Sequence, residues 1–497
     1  MILTSASAAI TKAPNVKKTF YLTTPIFYPN AKLHLGHVYT MTLADALARA
    51  HKLADENVYF LAGSDENTQK MVDAATKAGS EPIAFLDGIV QNFMTLYSSL
   101  NISYDQFIRT TDTKIHWPGA QAMWNKIFAS GDLYKKEYTG LYCVGHEAFM
   151  TEKDLVDGKC PDHGTIPEHL SEENYFFRLS KYANAICQKI ESDELLVVPQ
   201  SRKKEILTFI KGGLEDISFS RPRKASWPKG LGVPVPGDDL QVMYVWCDAL
   251  ANYITALGFG RDDSLYKEFW PADVHIIGKD ILRFHAVIWP AMLLSAGLPL
   301  PKSIFVHGFI TSGGKKMSKT LGNIIDPEEL IEKYGADAVR YFLLRHISPY
   351  EDGDITREGF HNAYTAHLTN GLGNLVARVM KLAEMYLKEG PAHLVDRDSY
   401  IHASNIHINE NIGKFEFNRA LDEIWNRIQE LDESITKREP FKLVKENPEE
   451  GKAVISDMAT QLYGIGLVLE PFMPETSRKI QEAVRANKKP ENLFPRL

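Results

Sequence analysis

Two histidines flank a glycine in His34-Leu35-Gly36-His37, directly after the Pro-containing stretch Thr24–Asn30. The imidazoles could serve chemistry, or they could pack while Gly36 eases a tight turn into a helix. Far downstream, Gly313-Gly314-Lys315-Lys316-Met317-Ser318-Lys319-Thr320 combines glycines with three lysines. A lysine ammonium is a strongly hydrated point charge on a flexible stem, suited to following phosphates whose charge moves during reaction. Standing alone, the same loop reads more readily as a solvated basic turn. A third pattern pairs Cys143 with His146 and Cys160 with His163, each pair separated by two residues. Two such pairs on short loops have the spacing of a tetrahedral structural zinc site with sulfur and nitrogen ligands. A metal-free arrangement in which the four side chains pack is its alternative.

These residues need elements to hold them. From Thr19 to Gly63 the pattern predicts strand, loop, helix and strand, a parallel β-α-β unit. In such units ligands bind beyond the carboxyl ends of the strands, where both the histidine motif and Gly63-Ser64-Asp65-Glu66-Asn67-Thr68 fall. A second set recurs with strand Asp273–Gly278, a helix, strand Ser303–His307 and the lysine loop. Beyond about Ser348, apolar residues recur at helical spacing. The expected organisation is an α/β fold. A 1–18 disordered extension is followed by 19–114, the first half of a split Rossmann-type parallel-sheet catalytic domain. Residues 115–236 form a connective insertion, 237–347 the second half, and 348–497 an α-helical bundle.

Composition is that of an ordinary globular protein, with 497 residues, 44% hydrophobic and 24% charged. The net charge of −7 gives no overall basic signature, so any nucleic-acid partner must be met by a local patch. Four cysteines in so long a chain argue against a disulfide scaffold and for a reducing compartment. No apolar run approaches the ~20 residues of a membrane helix, and the amino terminus lacks a secretion-signal pattern. Cytoplasmic localisation is the expectation.

The histidine motif in the first half and Lys316-Met317-Ser318-Lys319-Thr320 in the second resemble the paired signatures of class I aminoacyl-tRNA synthetases. The stretches Thr23–Thr40, Val242–Gly258 and His275–Pro301 are similar to the methionyl-tRNA synthetase family, with similarity from about Thr19 to Leu497. The resemblance implies activation of methionine by ATP with Mg²⁺ and transfer of methionine to tRNA(Met). It implies catalytic roles for His34, His37, Lys316 and Lys319. ATP would be held by these together with Gly36, Gly278, Asp280 and Ser318. Methionine would be held by Ile26, Tyr28, Trp246, Leu250, Tyr253, Ile281 and His285, with Asp65 receiving the ammonium. A polarizable sulfur gains roughly 0.3–1.5 kcal/mol against aromatic rings, which suits such a pocket. Asp65 also reads as the N-cap of a helix beginning near Gln69, and each aromatic as a core residue.

Asn374 and Arg378 lie four apart, on one helix face, and match the anticodon-reading pair of the family. Phe441 stands where the family usually has Trp and still offers a stacking face. Two further departures stand out. The last residue of the second signature is Thr320 instead of Ser, and Asn67-Thr68 replace a usual His-Gly. At one of the four knuckle positions His146 replaces a frequent Cys, and some relatives have lost the metal. The chain ends soon after Met473–Val484, without the further tRNA-binding domain that makes some relatives dimers, so a monomer is expected. Competing readings are a class I synthetase for another aliphatic amino acid, a small nucleotidyltransferase, and a catalytically idle tRNA-binding paralogue.

Overall fold

The computed structural model describes residues 17–143, 148–150, 152–161, 164–223, 231–317, 323–403 and 405–497. Six strands form one sheet: β1 (Thr19–Thr23), β2 (Asn57–Ser64), β3 (Gln106–Arg109), β4 (Leu196–Val198), β5 (Val274–Gly278) and β6 (Ser303–His307). Their order is β3-β2-β1-β5-β6-β4, and every neighbouring pair is parallel. The two sequence halves meet at the β1–β5 seam, with Leu22 opposite Val274 and Thr23 opposite His275. This seam juxtaposes the carboxyl ends of strands some 250 residues apart, the crevice in which open α/β sheets bind ligands.

Parallel sheets are covered on both faces, which explains the continuous apolar runs of β5 and β6. Side chains alternate between two cores. Phe20, Leu22, Phe60, Ile276 and Phe305 enter one, while Tyr21, Leu61, Ile277, Ile304 and Val306 enter the other. The first core also takes α1 (Leu35–Leu53), of which thirteen of nineteen residues are buried.

The expected insertion departs from a simple appendage. Leu196–Val198 within it returns to the main sheet as the edge strand β4, paired with β6 from Ser303 opposite Leu196 to Phe305 opposite Val198. Three apolar residues are too few to announce a strand by periodicity. Elsewhere in that span a four-stranded sheet forms around the long antiparallel pair Leu133–Cys143 and Glu168–Phe177, beside the helices His116–Ala129, Ala183–Glu191 and Gln200–Lys211.

In the second half α2 (Val245–Leu250) precedes β5, and α3 (Ala336–His346) leads into the helical region. That region contains α4 (Asn374–Tyr386), α5 (Phe417–Arg438), α6 (Pro448–Leu469) and α7 (Pro474–Arg485). In α5 the buried set Phe417, Leu421, Ile424, Ile428, Leu431 and Ile435 follows the helical repeat and forms one stripe toward the core. Arg340 on α3 joins the halves. Its fully buried guanidinium pairs with Asp45 of α1 at 2.6 Å and donates to the carbonyls of Pro471 and Phe472, each at 2.9 Å.

Candidate active site

The histidine motif begins α1. His34 is the N-cap, and its Nδ1 accepts from Gly36 N–H at 3.1 Å. The His34 N–H in turn donates to Nδ1 of His37 at 3.1 Å. Two imidazoles thus do what Ser and Glu do in an ordinary capping box. A neutral ring whose Nδ1 accepts carries its proton on Nε2, so the cap fixes the tautomer of both rings. The rings stack with centroids 3.8 Å apart, and Phe27 meets His37 edge-on at 4.5 Å. Burial, then the neighbouring His34, push the His37 pKa well below its ordinary value. It is a neutral donor at neutral pH. A Cβ on Gly36 would lie 2.9 Å from Cε1 of His34, so glycine here lets the cap close.

The residues expected to surround a thioether are brought together. Ile26, Tyr28, Trp246, Leu250, Tyr253 and Ile281 contribute to one apolar cluster. Tyr253 donates its hydroxyl to Nε2 of His285 at 2.6 Å, while Nδ1 of His285 bonds the Ile281 carbonyl at 3.0 Å. Burial lowers the His285 pKa to about 4 and is the chief reason that of Tyr253 is raised, with Asp65 adding to the latter. The pair is therefore neutral and polar inside an apolar wall. Trp246, half-buried, stacks on Phe284 at 3.6 Å and 10°.

Asp65 leaves the end of β2 and is 3% exposed. The following helix, Gln69–Lys77, has Thr68 as its N-cap, so the capping role for Asp65 is set aside. Gly63 allows this loop to approach β3, since a Cβ there would lie 2.4 Å from the Ile108 carbonyl and 2.7 Å from Ile26. Glu66 is locked beneath by Arg109, with bonds of 2.7 and 3.1 Å to its two oxygens. Asn67 makes three bonds: to Thr110 O at 2.8 Å, to Asp248 at 2.7 Å and from Gly232 N–H at 2.9 Å.

Gly278 closes β5, and a Cβ on it would lie 2.7 Å from Oδ1 of Asp280. The lysine loop starts from a hairpin in which Ile310–Ser312 pairs with Lys315–Lys316 across Gly313 and Gly314, both with positive φ. Those angles match a two-residue hairpin turn and require glycine. Asp354 fastens this turn by accepting from Gly314 N–H and Thr311 Oγ1, each at 2.8 Å. Ser318, Lys319 and Thr320 lie outside the described residues, as do His146 and His163.

In the helical region Asn374 opens α4 exposed, and Arg378 one turn on pairs with Asp432 of α5. Phe441, on the helix Pro440–Glu446, is 42% exposed. Cys143, at the end of the strand Leu133–Cys143, and Cys160 are fully buried, although Val156 and Ile166 close by in sequence are 60% and 72% exposed. Buried thiols in a segment with so little apolar core suit a thiophilic structural ion.

Several site residues escaped the sequence. His275 in β5 bonds Thr23 Oγ1 at 2.6 Å and receives Trp289 Nε1–H at 3.2 Å behind Tyr253. His307 at the end of β6 bonds Thr40 of α1 at 2.8 Å, linking the two halves beside the histidine cap. A histidine inside an otherwise apolar strand was the available signal for both. Asp248, in the apolar stretch Val245–Leu250, gave the same kind of signal.

A parallel sheet split by an insertion, a histidine cap at its seam and a lysine hairpin beyond its last central strand define a class I aminoacyl-tRNA synthetase. The family described as tRNA synthetases class I (M) matches residues 20–166 and 154–380. A methionine--tRNA ligase of Caldanaerobacter subterraneus subsp. tengcongensis is 44% identical over an alignment of 477 residues that covers 94% of this chain and 74% of that one. A methionine--tRNA ligase of Clostridium acetobutylicum is 43% identical, with 94% and 73% covered. The Mycobacterium tuberculosis methionyl-tRNA synthetase solved in complex with methionyl-adenylate superposes with a TM-score of 0.86 at 36% identity, covering 96% of this chain and 100% of that one. The chain belongs to the methionyl-tRNA synthetase family.

Proposed function

We infer that this chain is a methionine–tRNA ligase, which activates methionine with ATP and then transfers the methionyl group to tRNA(Met). The observation that carries this reading is the neutral Tyr253–His285 pair set in an apolar aromatic wall, with Asp65 beside it. An unbranched thioether fits a pocket that has polarizable rings and one neutral polar contact, while a carboxylate nearby suits the substrate ammonium. The methionine carboxylate attacks the α-phosphorus and pyrophosphate leaves. His34 and His37 would donate Nε2–H to the phosphates as charge builds there. Lys316 and Lys319 would follow the leaving pyrophosphate, Ser318 would bind ATP from the same loop, Gly36 would let adenine approach the backbone, and Gly278 and Asp280 would hold the ribose. Such transfers depend on positioning and charge stabilisation more than on covalent help from the protein. ATP enters as its Mg²⁺ salt.

The idle-paralogue reading is disfavoured because the histidine cap is intact and its rings are held in the donor tautomer. Charging tests the second step. Methionine should be transferred to tRNA(Met) and not to a tRNA with an unrelated anticodon, and indifference to the anticodon would reject tRNA(Met) as the partner. Asn374, Arg378 and Phe441 would read that anticodon. Exposed Phe441 would stack on a base, a contribution of roughly 1–3 kcal/mol. Phe441→Ala should lower charging about tenfold or more and leave adenylate formation unchanged; undiminished charging would remove the assignment.

Cys143, His146, Cys160 and His163 would hold one Zn²⁺, with all four positions filled by protein and a structural role only. Elemental analysis of protein purified without chelator should find close to one zinc per chain, lost in Cys160→Ala. A metal-free protein with an intact small sheet would contradict it. The enzyme is proposed to act as a cytoplasmic monomer; among the described residues no helix is long and apolar enough to cross a membrane.

A further inference from the structure

Behind the proposed methionine pocket runs a chain of buried polar groups that the adenylation chemistry does not use. Asn67, Asp248, His116 and Thr255 are each no more than 4% exposed. The Asn67 amide donates to Oδ2 of Asp248 at 2.7 Å, and Oδ1 of Asp248 faces Nε2 of His116 at 2.5 Å. Nδ1 of His116 meets Thr255 Oγ1 at 2.8 Å. The connection is fully satisfied: an imidazole that donates from Nε2 to the carboxylate can accept the threonine hydroxyl at Nδ1.

What this chain joins gives it meaning. Asp248 lies on α2 between Trp246 and Leu250, two walls of the pocket. Asn67 lies two residues after Asp65, on the same exit from β2. The third Asn67 bond, from Gly232 N–H at 2.9 Å, holds the loop whose Leu231 is 1% exposed and packs in a small cluster with Tyr28 at its edge. One side chain therefore fixes three separate segments around the same volume: the ammonium side, the Tyr28 side and the Trp246–Leu250 side. A buried network with every member satisfied rigidifies its surroundings, and its partial loss leaves polar groups unpaired in a low dielectric.

We propose that Asn67 is a positioning residue that, through Asp248 and Gly232, sets the shape of the amino-acid side-chain pocket and hence the affinity for methionine. The inference rests on the reading of that pocket as the methionine site. Asn67 acts through Trp246, Leu250 and Tyr28 without touching substrate. ATP binding, at the histidine cap and lysine hairpin, lies outside its reach.

The test uses an exchange of chemical identity across one bond. Asn67→Asp keeps the size of the side chain and the acceptor for Gly232, but sets two carboxylates at hydrogen-bond distance in a buried site. Adding Asp248→Asn restores one donor facing one carboxylate; in both variants the carboxylate at position 67 still faces Thr110 O, which the amide bonded at 2.8 Å and which keeps its bond from Trp117 Nε1–H at 3.0 Å. In pyrophosphate exchange, Asn67→Asp should raise the KM for methionine about tenfold or more with the KM for ATP within about twofold, and the double variant should recover part of the loss, as coupled groups do. If Asn67→Asp fails to fold, Asn67→Ala gives the same comparison without the added charge. Melting midpoints separate the alternative: if the variants melt earlier while the KM for methionine stays unchanged, Asn67 is merely structural and the proposal falls. Equal rises in both KM values would also overturn it. Wild-type exchange independent of methionine would instead sink the proposed function itself.

Discussion

His37→Ala is expected to reduce the rate of adenylate formation by about 10²–10³-fold, the usual cost of removing one preorganised donor from a site of developing charge. The KM for methionine should hardly move, because the ring belongs to the helix cap and stands apart from the Tyr253–His285 wall. A loss confined to kcat marks an interaction made in the transition state. The pH dependence sharpens the expectation. Burial and His34 keep the His37 pKa well below its ordinary value, so the ring is neutral on both sides of pH 6.5. Its Nε2–H is present throughout. The wild-type rate should therefore show no step attributable to this ring near pH 6.5. A His37-dependent step there, or equal losses in kcat and in methionine affinity, would reject the cap as a source of neutral donors.

Arg340→Ala should destabilise the protein by about 3–5 kcal/mol, because it takes the buried cation from a fully buried carboxylate and leaves backbone carbonyls unpaired. Asp45 is fully buried, and burial alone would raise its pKa; Arg340 and then Arg49 reverse this and hold it below the ordinary value. Removing Arg340 leaves that charge with Arg49 at 2.7 Å as its one cation, beside the Ser103 N–H and hydroxyl at 2.7 and 2.8 Å, and frees the carbonyls of Pro471 and Phe472. A carboxylate lowered in the folded state contributes stability above its unfolded pKa and loses it as pH falls through the folded one. The deficit of the variant relative to wild type should therefore shrink in acid. Urea unfolding at pH 7 measures the effect, and a change under about 1 kcal/mol would show that the pair is dispensable. Replacing Asp45 and Arg340 together by apolar residues should restore part of the loss, since no buried carboxylate remains, while Arg49 loses its partner and the two carbonyls stay unpaired.

The parts of this molecule that were legible in the sequence have short-range causes. A parallel sheet buried on both faces writes apolar runs such as Val274–Gly278 and Ser303–His307, and amphipathic α5 writes its repeat. The histidine motif was legible as a pattern, but its mutual capping was not, because two imidazoles rarely take the places of Ser and Glu. The pocket drew on distant segments whose union depends on the β1–β5 seam. Strand β4 was hidden by its length, and its pairing with β6 is decided by tertiary contact. Asn67 shows the limit most clearly. It stood out in the sequence only as a departure from the family pattern, whereas two of its three bonds reach segments more than 160 residues away, which no local pattern could reveal.

The central claim is that the aromatic wall ending in Tyr253 and His285 selects methionine for activation at the histidine cap. Exchange of labelled pyrophosphate into ATP, measured for each of the twenty amino acids with Mg²⁺, addresses it directly. Methionine alone should support rapid exchange, and the rate should collapse in His37→Ala. Exchange driven by leucine, valine or isoleucine, or no exchange with any amino acid, would contradict it.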